Sequence, residues 1–150
     1  MRREAVKYSR ATNYALHTMV YLTLTEKGKS VGVEQLANMQ NLSSTYLSKI
    51  LTKLVKAGLI ASTPGVKGGY SIVRQSQEIS FLDVIHAIEG KTTLFNCSLE
   101  HEDIFKHEDC LIENVMMAAE HKMNDELNSK YISDIAKQIE SKKIDCEHTN

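Results

Sequence analysis

The sequence predicts a mainly α-helical fold with a small two-stranded β wing and a long carboxy-terminal helix. Three observations predict it: short amphipathic segments with helical spacing in the first half, one glycine-rich hairpin near the middle, and a long apolar repeat after residue 110. The 150 residues, 42% of them hydrophobic, suffice for one globular core and fall short of two full-sized ones.

Each element has its own signal. From about residue 10 to 26, Ala11, Ala15, Met19 and Leu22 form one apolar stripe and Leu16, Val20 and Leu24 another. A helix apolar on two sides wants two neighbours, its own domain and a second subunit. The turn Glu26-Lys27-Gly28-Lys29 ends it, and a short helix over Val33–Met39 follows with Gly32 as its cap. After the tight connection Gln40-Asn41-Leu42, Ser43 caps a helix whose Leu47, Ile50, Leu51, Leu54 and Val55 fall at i, i+3, i+4, i+7 and i+8. Gly58 stops that helix, and residues 59–63 and 70–73 read as strands around the loop Pro64-Gly65-Val66-Lys67-Gly68-Gly69. Short helix, tight turn, second helix and hairpin in this order make a winged helix-turn-helix, assigned to residues 1–76.

In residues 77–150, Ser80 caps a helix over Phe81–Glu89, with Asp83 at the capping-box position and Gly90 as the stop. Residues 91–109 show no period and many polar groups, including His101 and His107, and read as an irregular loop. Then Leu111, Val115, Ala119, Met123 and Leu127 recur every four residues, which predicts a long helix over 111–127. A shorter helix over 131–139 follows, and the last residues, 145–150, are expected to fray.

A net charge of -1 hides a division between these halves. Residues 1–76 hold 11 Lys and Arg against three Glu, whereas residues 77–150 hold 7 against 16 acids. Such asymmetry points to a polyanion-binding first half. There is no amino-terminal signal pattern and no apolar run long enough to cross a bilayer, so no membrane role is expected. Three irregularly spaced cysteines, Cys97, Cys110 and Cys146, make a poor disulfide framework and fit the cytoplasm.

With the stripe of residues 47–55 turned inward, the opposite face of that helix offers a double-stranded DNA major groove a consistent set of groups. Ser43, Ser44, Thr45, Tyr46 and Ser48 sit at its start, where small hydroxyl residues let the backbone approach closely and bond to base edges or phosphates. Lys49 and Lys53, with Thr52 and Lys56 beside them, neutralise phosphates further along. Lys67 at the tip of the wing reaches the adjacent minor groove or its phosphates. The glycine-rich loop lacks both the phosphate-loop lysine-serine pattern and a dinucleotide fingerprint, and no nucleophile–base pair is visible, so the chain reads as a binding protein rather than an enzyme.

Tyr14-Ala15-Leu16, Tyr46-Leu47, Gly58-Leu59-Ile60 and Gly68-Gly69-Tyr70, in this order and spacing, resemble the IscR/NsrR/CymR family of winged-helix regulators over nearly the whole chain. The resemblance implies a repressor and a homodimer joined through the helix over 111–127, with two reading heads on a palindrome-like operator. Pro64 stands where many members carry an arginine that enters the minor groove. Members often hold an iron-sulfur cluster on three cysteines before the dimer helix. Here Cys97 and Cys110 match the outer pair, and the middle position falls among residues such as Asp103 and Ile104. Some relatives complete a [2Fe-2S] site with a carboxylate and a histidine from the first helix of the other subunit. His17 falls at that histidine and Asn13, an amide and a poorer iron ligand, at the carboxylate.

Three readings of the cysteines remain open. One is a cluster or other metal on Cys97, Cys110 and His17, helped by His101 or His107. Another is a thiol switch among Cys97, Cys110 and Cys146. The third gives them no sensing role and leaves the signal to a metabolite or a protein partner. The alternative at the level of function is a winged-helix interaction module that no longer reads DNA and docks partners through its acidic half.

Overall fold

A computed structural model of the chain describes residues 8–73, 76–97 and 110–148. Among these residues six α-helices and one hairpin run in the order α1 (Arg10–Leu24), α2 (Val33–Met39), α3 (Ser44–Lys56), β1 (Ile60–Thr63), β2 (Gly69–Ile72), α4 (Phe81–Glu89), α5 (Leu111–Asn128) and α6 (Ile132–His148). The strands pair antiparallel with Ile60 opposite Ile72 and Thr63 opposite Gly69. This is a mainly helical winged helix-turn-helix fold.

The periodicities turn into packing directly. Leu47, Ile50, Leu51 and Leu54 of α3 are all buried, so the stripe that defined the helix is the face it gives to the core. Ala15, Met19 and Leu22 of α1 meet it in the same cluster, together with Ile79, Val84 and Ile88 from around α4. Between α2 and α3 the chain reverses through Asn41, whose φ of 53° is left-handed, a conformation that asparagine tolerates better than most side chains. At α4 the capping box is complete. The Asp83 amide donates to Ser80 Oγ at 3.1 Å and the Ser80 amide to Asp83 Oδ2 at 3.0 Å.

The second apolar side of α1 meets the chain's own α6, whose Ile132, Ile135, Ala136 and Ile139 pack into the same core or lie against it, and Leu16 and Val20 of that side also line an open groove. The helix expected over 131–139 continues to His148, because no Gly or Pro follows Ile139 to stop it. The start of α6 is tied down beside α4: the Ile132 amide donates to Ile79 O at 3.0 Å, the Phe81 amide to Lys130 O at 2.8 Å, and Ser80 Oγ to Asn128 Oδ1 at 3.2 Å.

The wing is fixed to the helices at its base. Val31 and Tyr70 exchange backbone hydrogen bonds of 2.9 and 2.8 Å, which brings the hairpin against the segment before α2. Gly69 makes that approach possible: its φ is 140°, and a Cβ there would lie 2.5 Å from Val31 O. Gly69→Ala is therefore expected to destabilise the fold by about 2 kcal/mol, read as a lower urea midpoint.

A carboxylate staples the amino terminus of α1. Glu89, at the end of α4, accepts from the Ser9 amide and, at 2.7 Å, from Thr12 Oγ1. Burial pushes its carboxyl up, but the hydrogen bonds from Thr12 and Ser9 and the charge of Lys53 outweigh this and hold it below the usual value. A carboxyl depressed in the folded state contributes stability above its unfolded pKa and loses it as pH falls through the folded one. Glu89→Gln should thus lower stability by about 1 kcal/mol at neutral pH, and urea unfolding should show a shallower loss than wild type through the acidic range.

Candidate nucleic-acid interface

The inward packing of α3 decides what its other side shows. Thr45, Lys49, Thr52 and Lys56 are exposed, while Ser44 and Ser48 are half-buried at the edge of the same face. Ser43 is spent partly on structure, its hydroxyl oxygen accepting from the Tyr46 amide at 3.2 Å as the helix cap. Ser48 Oγ donates to Ser44 O and Thr52 Oγ1 to Ser48 O, both at 2.8 Å. Their protons are committed to the helix, so each hydroxyl presents acceptor lone pairs outward, suited to base amino groups. Tyr46 is 39% exposed and its ring stands edge-on to Tyr14 of α1, centroids 6.0 Å apart, so it is braced by α1.

Lys53, one turn after Lys49 and also exposed, has a tie of its own to α4. Its ammonium donates to Ile88 O at 3.3 Å, at the carbonyl end of α4, and lies close enough to Glu89 to lower that carboxyl. A lysine at a helix carboxy terminus is favoured by the helix dipole, which gives Lys53 a packing role joining α3 to α4. Nothing in the spacing of α3 signals this, since the partner lies 35 residues away.

Lys67 is exposed at the tip of the wing next to Val66. The loop is closed by Gly68, whose amide donates to Gly65 O at 3.0 Å, and Gly65 has a φ of 103°. The helix-turn-helix corner carries one more feature that the sequence did not reveal. Gln40 Nε2 donates to Thr18 Oγ1 at 2.8 Å, while Gln40 Oε1 is buried without a partner among the described residues.

Cys110 occupies the position before the first turn of α5, its side chain making no capping hydrogen bond, and Cys97 is the last described residue before 98–109. The Glu113 amide is the main influence holding the Cys110 thiol below its usual value, aided by the Cys97 thiol and the Ile112 amide and opposed by burial and the Glu113 carboxylate. Cys110 is buried and Cys97 half-buried, whereas Cys146 is exposed on α6. His17 is exposed on α1, with Nδ1 donating to Asn13 O at 2.8 Å, since a carbonyl can only accept; this leaves the Nε2 lone pair free. His101, His107, Asp103 and Ile104 lie outside the described residues. Among the described residues, no group of three or more His, Cys, Asp or Glu side chains is placed to hold a metal ion. The two thiols fit one pair of sulfur ligands, and His17 is not gathered with them in a single chain.

The first part of the long repeat of α5 is left uncovered by its own protomer. No residue of α5 is fully buried, Leu111 and Val115 are 70% and 69% exposed, and only Met123 and Leu127 of the repeat are half-buried. Across α1 and α6 runs an open apolar groove of about 410 Å³ lined by Leu16, Val20, Phe81, Ile135 and Ile139, with Asn13, His17 and Tyr21 also in its lining. Among the described residues no helix is long and apolar enough to cross a membrane.

Known proteins share this architecture. The solved structure of CymR, the global cysteine regulator of B. subtilis, superposes with a TM-score of 0.72 at 23% identity, covering 88% of this chain and 97% of that one, a likeness of fold. Protein rrf2 of Nitratidesulfovibrio vulgaris is 26% identical over 130 residues, 87% of each chain. The HTH-type transcriptional regulator NsrR of Halalkalibacterium halodurans is 34% identical over 91 residues, 61% of this chain and 62% of that protein. The model of the Rrf2 family, described as an iron-dependent transcriptional regulator, matches residues 8–138. The chain, with its braced recognition helix and glycine-hinged wing, therefore belongs to the Rrf2 family of helix-turn-helix transcription regulators.

Proposed function

We propose that the chain acts in the cytoplasm as a homodimeric repressor that binds a palindrome-like stretch of double-stranded DNA and releases it when its cysteine-bearing segment senses a redox, iron-sulfur or nitrosative signal. Residues 1–76 read the DNA, and residues 77–150 dimerise and sense. The observation that carries this reading is the outer face of α3, where Thr45, Ser48 and Lys49 present acceptors and charge on a helix whose other side is locked into the core. Ser43, Ser44 and Tyr46 shape the helix start, Lys67 supports from the wing, and Lys53 acts through its hold on α4.

The exposed apolar stripe of α5 supports a dimer, because large contiguous apolar surface on a monomer is costly in water and is relieved by an isologous contact with a second copy. Twofold pairing sets two α3 helices to face successive major grooves. At the cysteines, Cys97 and Cys110 with His17 of a second copy would be the donors for a [2Fe-2S] cluster, and Asn13 beside His17 would be the weak member of that set. Such a cluster would supply one-electron redox chemistry there.

Lys49→Ala should weaken binding to an operator selected from random-sequence DNA and lower the slope of log affinity against log salt by about 1, with the urea midpoint unchanged. Lys53→Ala should lower the urea midpoint as well. Val115→Glu is expected to give a monomer in sedimentation that loses tight binding to the two-half-site operator while keeping its circular dichroism. A selection that returns no preferred sequence would favour an interaction module instead.

A further inference from the structure

We infer that Ser48 is a specificity-determining residue that accepts a hydrogen bond from the exocyclic amino group of a base, adenine N6 or cytosine N4, so that each half-site must offer an amino group at one fixed position. This deepens the chain's reading as a DNA-binding regulator and rests on it. Ser48 Oγ donates its proton to Ser44 O at 2.8 Å, within the helix it belongs to. A hydroxyl so committed offers only acceptor lone pairs. Phosphate oxygens, guanine O6 and N7, adenine N7 and thymine O4 are acceptors as well, and the only donors on the floor of the major groove are those two amino groups. Acceptor facing acceptor makes no bond.

The rest of α3 narrows the choice further. It contains no Arg to clamp guanine, no Asn or Gln to clamp adenine and no carboxylate to take an amino proton, so hydroxyl oxygens are the only side-chain groups on it that can read one. Ser43 differs from Ser48 because its oxygen accepts from the Tyr46 amide at 3.2 Å, which leaves its proton free for a phosphate. Thr52 repeats the commitment, its Oγ1 donating to Ser48 O at 2.8 Å, but it lies a turn further along, between Lys49 and Lys56. Ser48 is the one nearer the end of the helix that meets base edges.

The setting of Ser48 suits a short-range contact. It is half-buried beside the exposed Thr45, Lys49 and Thr52, and its neighbours one turn either way, Ser44 and Thr52, are small enough to let the helix backbone come close to a base pair. Leu47, Ile50, Leu51 and Leu54 are locked into the core, so the helix cannot roll to carry the oxygen away from a mismatched base. A base without an amino group leaves that oxygen facing an acceptor. The loss of this single hydrogen bond is expected to weaken binding about fivefold.

The test uses the full-length protein and the duplex it selects from random-sequence DNA, at one salt concentration. Base amino groups are deleted one at a time, with purine replacing adenine and 2-pyrimidinone replacing cytosine. One such deletion in each half-site should weaken wild type about fivefold and leave Ser48→Ala, which has already lost the contact, unaffected. Loss with purine identifies adenine as the base read, and loss with 2-pyrimidinone identifies cytosine. Ser48→Ala should bind the unmodified duplex more weakly than wild type with the same salt slope and no lower urea midpoint, which sets a base contact apart from a phosphate contact and from a folding defect. Unchanged affinity of Ser48→Ala, deletions that affect both proteins equally, or coupling of Ser48 to 7-deazaguanine instead would overturn the inference. Specific binding of the unmodified duplex by wild type separates these failures from a failure of the regulator reading.

Discussion

The burial of one stripe on α3 is the constraint on which the rest of the molecule depends. Leu47, Leu51 and Leu54 are fully buried between α1, α4 and the base of the hairpin, each removing apolar surface worth roughly 1.5–3 kcal/mol. That energy fixes the rotation of the helix about its own axis. Once it is fixed, Thr45 and Lys49 must face water and Ser43 must stand at the leading end. The functional face is thus the complement of the core face, and a helix turned by one residue would bury lysine and expose leucine.

Polar ties then join the recognition helix to the acidic half. Lys53 grips the carbonyl end of α4, Glu89 on the same turn holds the start of α1, and Ser80 at the other end of α4 reaches Asn128 at the end of α5. α4 is therefore the shared support of the reading head, the amino-terminal segment and the long helix. The core follows the same logic, drawing Ile79, Val84, Ile88 and Ile132 into one cluster with α1 and α3. A change at the start of α5 has a short path of packed elements to α3, without any hinge being required.

Much of this was legible in the sequence because it is local. The i, i+3, i+4, i+7 spacing of α3, the Ser80–Asp83 capping box and the glycines that close the wing each act within a few residues, and each is found where the pattern puts it. What escaped is what depends on distant partners. Lys53 shares a helical face with Lys49 by spacing, and its bond to the carbonyl of Ile88 is invisible to that spacing. The second stripe of α1 announces a neighbour without naming it, and within the chain that neighbour is α6. Glu89 carries no motif at all, and its value comes from two donors at the other end of the fold. At the cysteines the sequence shows two that match the family's outer pair, while the placing of Cys110 at the start of α5, buried, comes only from three dimensions.

In the proposed complex α3 enters a major groove as one of a twofold-related pair. Hydroxyl-radical and methylation-protection footprinting of the reduced protein on its selected operator measures that directly. The account predicts protected guanines in two major-groove windows about 10 bp apart, centre to centre, with backbone protection on the flanking minor grooves where the wings lie. Protection confined to one window, or spread evenly along the DNA regardless of sequence, would contradict it.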